Sequence, residues 1–402
     1  MDYLIVGGWT AGTVAAQELR KLEPASEVTI VDAEPFQYYA RPGLIGYLAG
    51  RKRRENLFMH PADWYTQQRL QLLTGHRVTN IQPAEHTVTL DNGSTLSYRR
   101  MLLATGASPF IPSLPGADQY HVFSLRTLTD ADALNSEIVP GATAIIVGGG
   151  VLGLETARAL CERGMDACVL EFADRLLPNQ LDTIAAELLR KRLESMGITI
   201  FLKAESQEIQ SKKDGAVRIV LKDGRTVQGK FVLFSTGVRP NTSIAREAGL
   251  AVGRGVQVDD TMATSAPDIY AAGDVAEHHG RVYGIIPPCL EQARIAARNM
   301  VSPGSVRYNG SIMSSSLKIV GVDVASIGII TPPLTAVNLE EICAQDGHAY
   351  RKVLLEDGLA KGAVLFGTTT GTQQLQQAIR TGRNLSAFRE KLTQIDWDFS
   401  GM

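Results

Sequence analysis

Two glycine-rich segments of this chain each stand between an apolar run and an amphipathic run, and a carboxylate follows each of them. Residues 7–12 read Gly-Gly-Trp-Thr-Ala-Gly, and Asp32 follows by twenty residues. Residues 148–153 read Gly-Gly-Gly-Val-Leu-Gly, and Glu171 follows by eighteen. A glycine turn between a strand and a helix places free backbone N–H groups against a diphosphate, and a carboxylate at the next strand end accepts hydrogen bonds from ribose hydroxyls. The spacing therefore predicts two dinucleotide sites.

The first segment departs from the pattern at its second glycine position, where Trp9 stands. Only glycine lacks a Cβ atom, and the backbone must lie against the diphosphate at this position. We expect the indole either to turn outward with the loop displaced or to fill part of the space that the ligand needs. In both cases the first dinucleotide should bind more weakly than it would beside glycine.

The two glycine segments belong to an internal duplication, which fixes the elements that must position them. Residues 90–93 (Leu-Asp-Asn-Gly) predict a hairpin, and residues 101–106 (Met-Leu-Leu-Ala-Thr-Gly) predict a buried strand and turn. At a constant offset of 131, residues 221–224 (Leu-Lys-Asp-Gly) and 232–237 (Val-Leu-Phe-Ser-Thr-Gly) repeat both features. We therefore predict two nucleotide-binding units of one design, with parallel sheets that bind ligands at the carboxyl ends of their strands.

Composition and charge exclude several other classes of protein. The 402 residues include 40 basic and 42 acidic side chains, so no basic excess indicates nucleic acid or a membrane surface. The longest apolar stretch, near residues 144–154, is broken by glycine and predicts no membrane span. The four cysteines form no CxxC pair, and we expect a reducing, cytoplasmic setting without a basic leader. We expect no metal site, and we interpret His278-His279 as a solvated loop.

Over essentially its whole length the chain resembles the pyridine nucleotide–disulfide oxidoreductase superfamily. The features that carry the resemblance are the two glycine segments, Ala104-Thr105-Gly106, residues 235–241 (Ser-Thr-Gly-Val-Arg-Pro-Asn) and residues 270–274 (Tyr-Ala-Ala-Gly-Asp). The resemblance implies an α/β fold like that of glutathione reductase, with FAD in the first Rossmann-like domain and NAD(P)H in the second. The implied boundaries are 1–110 and 240–303 for the FAD domain, 111–239 for the NAD domain and 304–402 for a C-terminal α+β domain.

The segment after Asp32 indicates the branch of the superfamily. Disulfide reductases carry redox cysteines here, whereas this chain has Pro42 at the cysteine position. Residues 41–44 (Arg-Pro-Gly-Leu) and the region around 317–328 resemble NADH:rubredoxin reductases and the flavin part of assimilatory nitrite reductases. A full nitrite reductase also needs siroheme and iron–sulfur ligands, which this sequence does not contain, so we expect the reductase module alone.

The resemblance also implies the residues that contact the cofactors. The predicted contacts are Gly7, Gly8, Trp9, Ala11, Gly12, Asp32, Ala33, Arg41, Pro42, Ala104, Thr105, Gly106, Gly273, Asp274, Glu291 and Gln292 for FAD, and Gly148, Gly150, Gly153 and Glu171 for NADH. Arg41 is either a solvated charge or a group that binds flavin phosphate or a partner, and Glu155 is either an ordinary helix residue or a nicotinamide contact. Cys289 has the alternatives of a buried helix residue and a redox group. We interpret Cys161 and Cys168 as core residues.

The sequence thus predicts a FAD-dependent NADH oxidoreductase that passes electrons to a small redox protein such as rubredoxin. No side chain is needed as acid or base, because the cofactors carry the chemistry and the protein aligns them. Two alternatives stay open: an NADH oxidase that reduces oxygen directly, and a flavin-depleted scaffold or electron-transfer subunit, which Trp9 motivates. The sequence does not fix the oligomeric state, and a homodimer is compatible with it.

Overall fold

The computed structural model describes residues 1–211, 215–311, 314–332 and 338–402. The strands, in chain order, are β1 (Tyr3–Val6), β2 (Val28–Asp32), β3 (Leu70–Thr74), β4 (Val78–Gln82), β5 (Thr87–Leu90), β6 (Thr95–Ser97), β7 (Arg100–Leu103), β8 (Ala107–Pro109), β9 (Val122–Ser124), β10 (Thr143–Val147), β11 (Asp166–Leu170), β12 (Thr199–Phe201), β13 (Ser206–Ser211), β14 (Val217–Leu221), β15 (Thr226–Gly229), β16 (Phe231–Phe234), β17 (Val238–Pro240), β18 (Val256–Val258), β19 (Ile269–Ala271), β20 (Ala276–His278), β21 (Ser314–Ile319), β22 (Val322–Gly328), β23 (Leu339–Gln345), β24 (Tyr350–Glu356) and β25 (Leu359–Phe366). The helices are α1 (Thr10–Leu22), α2 (Leu44–Leu48), α3 (Trp64–Gln67), α4 (Leu128–Ser136), α5 (Val151–Glu162), α6 (Thr183–Glu194), α7 (Ser243–Glu247), α8 (Ile286–Val301), α9 (Thr372–Thr381) and α10 (Arg389–Leu392).

The chain forms two compact units, each of which collects separate stretches of sequence. The first consists of Met1–Leu44, Lys52–Ser108 and Val238–Ser311. The second consists of Ile45–Arg51, Pro109–Gly237 and Ile312–Met402. The second unit therefore includes both the predicted NAD domain and the C-terminal region. The division into three domains, with its boundaries at 110, 240 and 303, stays a prediction.

The first unit is built on a parallel sheet with the strand order β19-β7-β1-β2-β3. The four residues of β1 are all buried, as expected for a central strand of a sheet covered on both faces. Helices α1 and α8 pack together through alanine-rich faces, which let the two backbones approach closely. Since β1 leads to β2 on one side and β7 pairs with its other side, the first glycine segment lies at a topological switch point.

The second unit repeats this arrangement, which confirms the predicted duplication. Its parallel sheet has the order β12-β11-β10-β16-β9, with β10 in the place of β1. The two predicted hairpins also have equivalent backbone hydrogen bonds. Leu90 N donates to Ser94 O at 2.8 Å, and Leu221 N donates to Arg225 O at 2.9 Å. The prediction of two Rossmann-like folds is therefore confirmed.

The C-terminal part of the second unit is an antiparallel sheet in the order β21-β22-β25-β24-β23. Val353 and Leu355 of β24 join an apolar core with Leu375 of α9. Tyr350 and Lys352 lie at alternate positions and point to the opposite face, because successive side chains of a strand alternate between the two faces. The expected α+β character of this region is confirmed.

Among the described residues, no helix is long and apolar enough to cross a membrane.

Candidate functional site

The first glycine loop requires glycine at two of its positions, at Gly7 because of its backbone conformation and at Gly12 because there is no space for a Cβ atom. Gly7 follows β1 with φ +109°, and a Cβ atom there would lie 2.2 Å from the carbonyl oxygen of Ala104. A Cβ atom on Gly12 would lie 1.8 Å from the carbonyl oxygen of Gly7. The loop therefore closes tightly against the end of β7, and the chain enters α1 directly after it.

The carboxylate of Asp32 faces this loop from the end of β2. Its Oδ2 accepts a hydrogen bond from the Gly8 amide, and its Oδ1 accepts one from the Glu34 amide at 2.8 Å. Burial raises the pKa of Asp32, and the bonds from the Glu34 and Gly8 amides oppose that rise. Trp9, the N-cap residue of α1, provides no side-chain hydrogen bond to the helix. The first N–H groups of α1 thus lie beside a fixed carboxylate, as a dinucleotide site requires.

The second glycine loop has the same construction in the second unit. Gly148 has φ +117°, and a Cβ atom there would lie 2.2 Å from the carbonyl oxygen of Ser235. Oε2 of Glu171 accepts from the Gly149 amide at 2.6 Å, and its Oε1 accepts from the Ala173 amide at 2.7 Å. Gly153 in α5 packs against the Gly148 carbonyl, as Gly12 does in the first loop. Two equivalent sites are therefore present, one in each unit.

Trp9 is accommodated without displacement of the first loop. Its φ of −82° equals, within a degree, the −81° of Gly150 at the same position in the second loop, where an added Cβ atom would meet no atom within 4 Å. The indole turns toward Tyr39, whose ring centroid lies 4.0 Å away, and the Arg41 guanidinium lies 3.8 Å over it. Of the two expected alternatives, the one with a displaced loop is therefore wrong, because the backbone at Trp9 matches that at Gly150.

The contacts of Arg41 exclude the interpretation of a solvated charge. Besides the indole, its guanidinium contacts Glu34 Oε1 at 2.8 Å, and both side chains of this pair are largely buried. Burial raises the pKa of Glu34, and the Tyr39 hydroxyl and the Arg41 charge oppose that rise. Arg41 is therefore held between the Trp9 indole and the Glu34 carboxylate, which balances its charge.

A second group of predicted FAD contacts lies after the end of β19, where Gly273 meets Gln292 of α8. The Gly273 amide donates to Gln292 Oε1 at 3.0 Å, whereas the buried Gln292 Nε2 has no hydrogen-bond partner in the described structure. A Cβ atom on Gly273 (φ +84°) would lie 3.1 Å from Cβ of Ala11 and 3.2 Å from Sγ of Cys289. Asp274 lines a cavity of about 140 Å³, together with Ala107, Val238, Pro240, Arg254, Val282 and Gly284. Gln292 thus offers a buried donor near this cavity-lining segment.

The remaining predicted residues of the first unit have simpler surroundings. Ala104 and Gly106 flank Thr105, whose hydroxyl donates to the Asn241 carbonyl at 3.1 Å, and the Asn241 side chain donates back to the Thr105 carbonyl. Glu291 is exposed and accepts from the Ser311 hydroxyl at 2.8 Å. Ala33 and Pro42 are also exposed. Asn241 is a residue that the sequence analysis did not select for the site.

Glu155 is engaged by a residue that sequence reasoning missed. Its Oε1 accepts a hydrogen bond from the Val320 amide, in the turn between β21 and β22. Val320 is buried and has φ +51°, an uncommon conformation for a β-branched residue. No sequence signal joins two residues 165 positions apart, so only the structure could reveal this contact.

Of the two cysteines interpreted as core residues, Cys168 is buried and Cys161 is half-buried. Burial raises the pKa of Cys168 to about 12, and burial also raises the pKa of Cys161. Cys289 is buried next to Gly273, and Cys343 is exposed. None of the four described cysteines forms a disulfide. A thiolate is the nucleophilic form, so a thiol with such a raised pKa is inert at neutral pH.

The expectation of a solvated loop at residues 278–279 is wrong for His278, which ends β20 and is buried. Its ring and that of His279 both contact Asp260, a carboxylate that the sequence analysis overlooked. The eighteen residues between Asp260 and His278 hide this proximity in the sequence.

These residues fit the cofactors that the two loops require. The first site offers an uncapped helix N-terminus, the Asp32 carboxylate and the unpaired Gln292 donor. The second offers the uncapped N-terminus of α5 and the Glu171 carboxylate. Trp9 lies at the N-cap of α1 in the first site, where Gly150 lies in the second.

Comparison with known proteins agrees with this geometry. Residues 1–299 match the pyridine nucleotide-disulphide oxidoreductase family, and residues 314–383 match the rubredoxin NAD⁺ reductase C-terminal domain. The chain belongs to this family of oxidoreductases. The family binds FAD and NAD(P)H, and the predictions of family and fold are confirmed.

Individual relatives narrow the branch. The chain is 35% identical over 384 residues to a nitrite reductase (NAD(P)H) of Bacillus subtilis (strain 168). The aligned region covers 95% of this chain and 48% of that protein. It is 30% identical over 381 residues to the NADH-rubredoxin oxidoreductase of Clostridium acetobutylicum, and the match covers 95% of each. The crystal structure of the latter enzyme matches with a TM-score of 0.81 and 26% identity over 96% of each chain. The chain spans about half the length of the nitrite reductase it matches.

Proposed function

We propose that this chain oxidises NADH and reduces a small iron-containing electron carrier such as rubredoxin, with FAD as its resident cofactor. The observation that carries the proposal is the pair of glycine loops, each closed by a buried carboxylate, within one chain. Two dinucleotides on one protein imply electron transfer between them. The C-terminal domain and the relative that matches over 95% of both chains support a rubredoxin-type acceptor.

In each of the two sites, particular groups of the protein would bind the dinucleotide. In the first, the N-terminus of α1 would bind the FAD diphosphate, Asp32 the adenosine ribose, and Gln292 and Asp274 the polar groups nearer the flavin. In the second, the N-terminus of α5 and Glu171 would hold NADH, with Glu155 near the nicotinamide. When bound, FAD supplies the chemistry that converts a two-electron hydride donor into a source of single electrons. The protein's contribution is alignment and exclusion of water.

The charges around Glu171 support a preference for NADH over NADPH. A 2′-phosphate on the adenosine ribose would meet this carboxylate as a like charge. Arg175, four residues further along the chain, has partners of its own, since its Nη1 contacts Asp174 at 3.0 Å and its Nε donates to the Leu181 carbonyl at 3.3 Å. The guanidinium is therefore held by groups of its own unit.

Thiol–disulfide chemistry is disfavoured, because Pro42 occupies the position at which disulfide reductases carry a redox cysteine. The proposal thus needs an acceptor that takes electrons without a protein thiol. A cytoplasmic location and the oligomeric state stay predictions.

The test compares electron acceptors directly. Purified protein, reconstituted with FAD, is mixed anaerobically with NADH and oxidised rubredoxin, and separately with NADH and air. We expect rapid rubredoxin reduction and slow oxygen consumption. Faster transfer to oxygen would favour the NADH oxidase alternative, and failure to retain FAD would favour the scaffold.

A pair of variants ties the activity to the proposed cofactor site. Asp274→Ala should lose much of its bound flavin, since it removes one or two charge-assisted hydrogen bonds worth roughly 2–4 kcal/mol in total. Asp63→Ala, an exposed residue of the same unit, should retain full flavin and full activity. Full flavin occupancy in Asp274→Ala would remove this residue from the site.

A further inference from the structure

Three side chains of metal-ligating type meet in the first unit, apart from both nucleotide loops. Asp260 follows β18, His278 ends β20, and His279 comes directly after it. His278 Nε2 lies 3.0 Å from Asp260 Oδ1, and His279 Nε2 lies 2.8 Å from the same oxygen. One ligand atom from each residue lies within 4.8 Å of the other two. The cluster therefore joins two imidazoles and one carboxylate at a single point.

The backbone aims both imidazoles at this point. Successive side chains on a strand point to opposite faces, so two neighbouring histidines would ordinarily diverge. Here His279 (φ +47°) and Gly280 (φ +74°) turn the chain sharply, and the backbones of His278 and Arg281 exchange two hydrogen bonds of 3.0 Å. The ring centroids of the two histidines consequently lie 4.1 Å apart.

The surroundings close one side of the cluster and leave the other open. The Tyr308 ring lies 4.9 Å from the His278 ring, and the Tyr308 amide donates to the Asp260 carbonyl. The Arg307 guanidinium lies 3.5 Å from Asp260 Oδ2, but its side chain is 71% exposed and can turn into solvent. His278 is almost fully buried, whereas the His279 side chain is 73% exposed. An ion could therefore enter from the side of His279.

We propose that Asp260, His278 and His279 form a binding site for a divalent transition-metal ion such as Zn²⁺. Two imidazole nitrogens and one carboxylate oxygen are ligands that suit this class of ion. The ligand atoms now lie at hydrogen-bond separations of 2.8 and 3.0 Å, and a tetrahedral ion with bonds of about 2.0–2.1 Å needs them about 3.3 Å apart, so the side chains would move by only a few tenths of an ångström. In the bound form each neutral imidazole carries its proton on Nδ1 and presents the lone pair of Nε2 to the ion, in place of its hydrogen bond with the carboxylate. The open side leaves a fourth position for water.

Two other pairs of a histidine and a carboxylate in this unit allow a comparison with the cluster of three ligands. His76 lies 3.5 Å from Asp91, and His86 lies 3.9 Å from Asp268. Each pair offers one histidine and one carboxylate, and neither belongs to a group of three such ligands in the described structure. A site of three converging ligands should therefore bind metal much more tightly than either pair.

The test measures Zn²⁺ bound to the full chain by equilibrium dialysis near neutral pH. A Cys343→Ser background removes the exposed thiol, which would compete for the metal. We expect one equivalent to bind, and we expect His279→Asn and Asp260→Asn each to weaken the affinity at least about tenfold. Asparagine tolerates a positive φ, so His279→Asn keeps the turn. The exposed His348→Ala, in the other unit, serves as the matched control and should bind like the parent.

A thermal measurement provides the second readout. Saturating Zn²⁺ should raise the melting temperature of the parent and of His348→Ala but not of His279→Asn, because only a ligand that binds the folded state stabilises it. Absence of stoichiometric binding would overturn the proposal, and so would binding that His279→Asn leaves unchanged.

Discussion

Asp32 and Glu171 each hold a negative charge in a buried position because two backbone amides satisfy the carboxylate. Each oxygen accepts one amide hydrogen bond, from Gly8 and Glu34 in the first site and from Gly149 and Ala173 in the second. A carboxylate oxygen has room for a further donor. The remaining acceptor positions are thus available to ribose hydroxyls without any rearrangement of the loops.

Nucleotide preference should follow from Glu171. We expect kcat/KM for NADH to exceed that for NADPH by roughly 10- to 100-fold, since a hydrogen bond to a charged group is worth roughly 1.5–3 kcal/mol. In Glu171→Gln the ratio should fall to within a few-fold of one. Steady-state kinetics with both nucleotides provide the measurement, and equal kcat/KM values in the unmodified protein would refute the assignment.

The Trp9→Gly variant should bind FAD more tightly and fold less stably. Removal of the indole should strengthen FAD binding by about 1–3 kcal/mol if the indole occupies part of the space that the diphosphate needs. The same change removes the contacts with Tyr39 and Arg41, which should cost the apoprotein about 1–3 kcal/mol in unfolding free energy. Calorimetric titration with FAD and urea denaturation measure the two effects separately.

The second loop provides the reciprocal control. Gly150→Trp places an indole at a position where an added Cβ atom meets no protein atom within 4 Å, so we expect the variant to fold. Its KM for NADH should rise at least about tenfold if the indole reaches the diphosphate space. Unchanged NADH kinetics in this variant, together with unchanged or weaker FAD binding in Trp9→Gly, would show that an indole at this position does not obstruct a dinucleotide.

At the scale of elements, a polar cluster joins the C-terminal sheet to the start of α6. Asp182 caps α6 through a bond from the Ala185 amide at 3.0 Å. Its other oxygen accepts from the Tyr350 hydroxyl at 2.6 Å and pairs with Lys352 Nζ at 3.1 Å. Burial raises the pKa of Tyr350, and its bond to Asp182 adds to that rise. One aspartate therefore serves both as helix cap and as counter-ion to a buried lysine.

Asp182→Ala should destabilise the protein by at least about 2 kcal/mol, because it removes the helix cap and the hydrogen bond from the Tyr350 hydroxyl. It also leaves the buried Lys352 with only the Glu341 carboxylate, 3.8 Å away, as its ion-pair partner. Thr127→Ala, which removes only the cap of α4, should cost about 1 kcal/mol. Urea denaturation followed by circular dichroism compares the two variants. Equal losses in both would show that the ion pair with Lys352 contributes little.

The elements could be predicted wherever the constraint is local. Gly7 and Gly148 mark their turns in the sequence because only glycine fits a positive φ beside a neighbouring carbonyl. The contacts of Glu155 with Val320, and of His278 with Asp260, could not be predicted, since distant segments meet only after the sheets form. The undisplaced loop at Trp9 also escaped prediction, because the space beside a residue depends on packing that the sequence does not display.

At the scale of the whole molecule, duplication explains most of what the sequence predicted correctly. Both units use a parallel sheet with the glycine loop at the switch point, and the carboxyl ends of neighbouring strands bring together Ala104, Asp32 and Gly273 at one edge. The sequence did not reveal that the C-terminal sheet and the second nucleotide unit form one compact body. That association depends on side chains such as Tyr350, whose partner lies 168 positions away.

Electron transfer through the molecule should not depend on thiols. Iodoacetamide near pH 8 should label the exposed Cys343 first and leave Cys168 unmodified, because burial raises the pKa of that thiol to about 12. Activity from NADH to an artificial dye should stay largely intact after labelling. Mass spectrometry of the labelled protein gives the extent at each cysteine, and activity lost in proportion to Cys289 labelling would assign a redox role to that residue.

The visible absorption spectrum of the FAD-reconstituted protein, recorded anaerobically before NADH, after NADH and after oxidised rubredoxin, tests the central claim most directly. The account predicts flavin bands that bleach with NADH and return when rubredoxin is added, with one flavin per chain. A chain that takes up no FAD, or bands that NADH leaves unchanged, would contradict it.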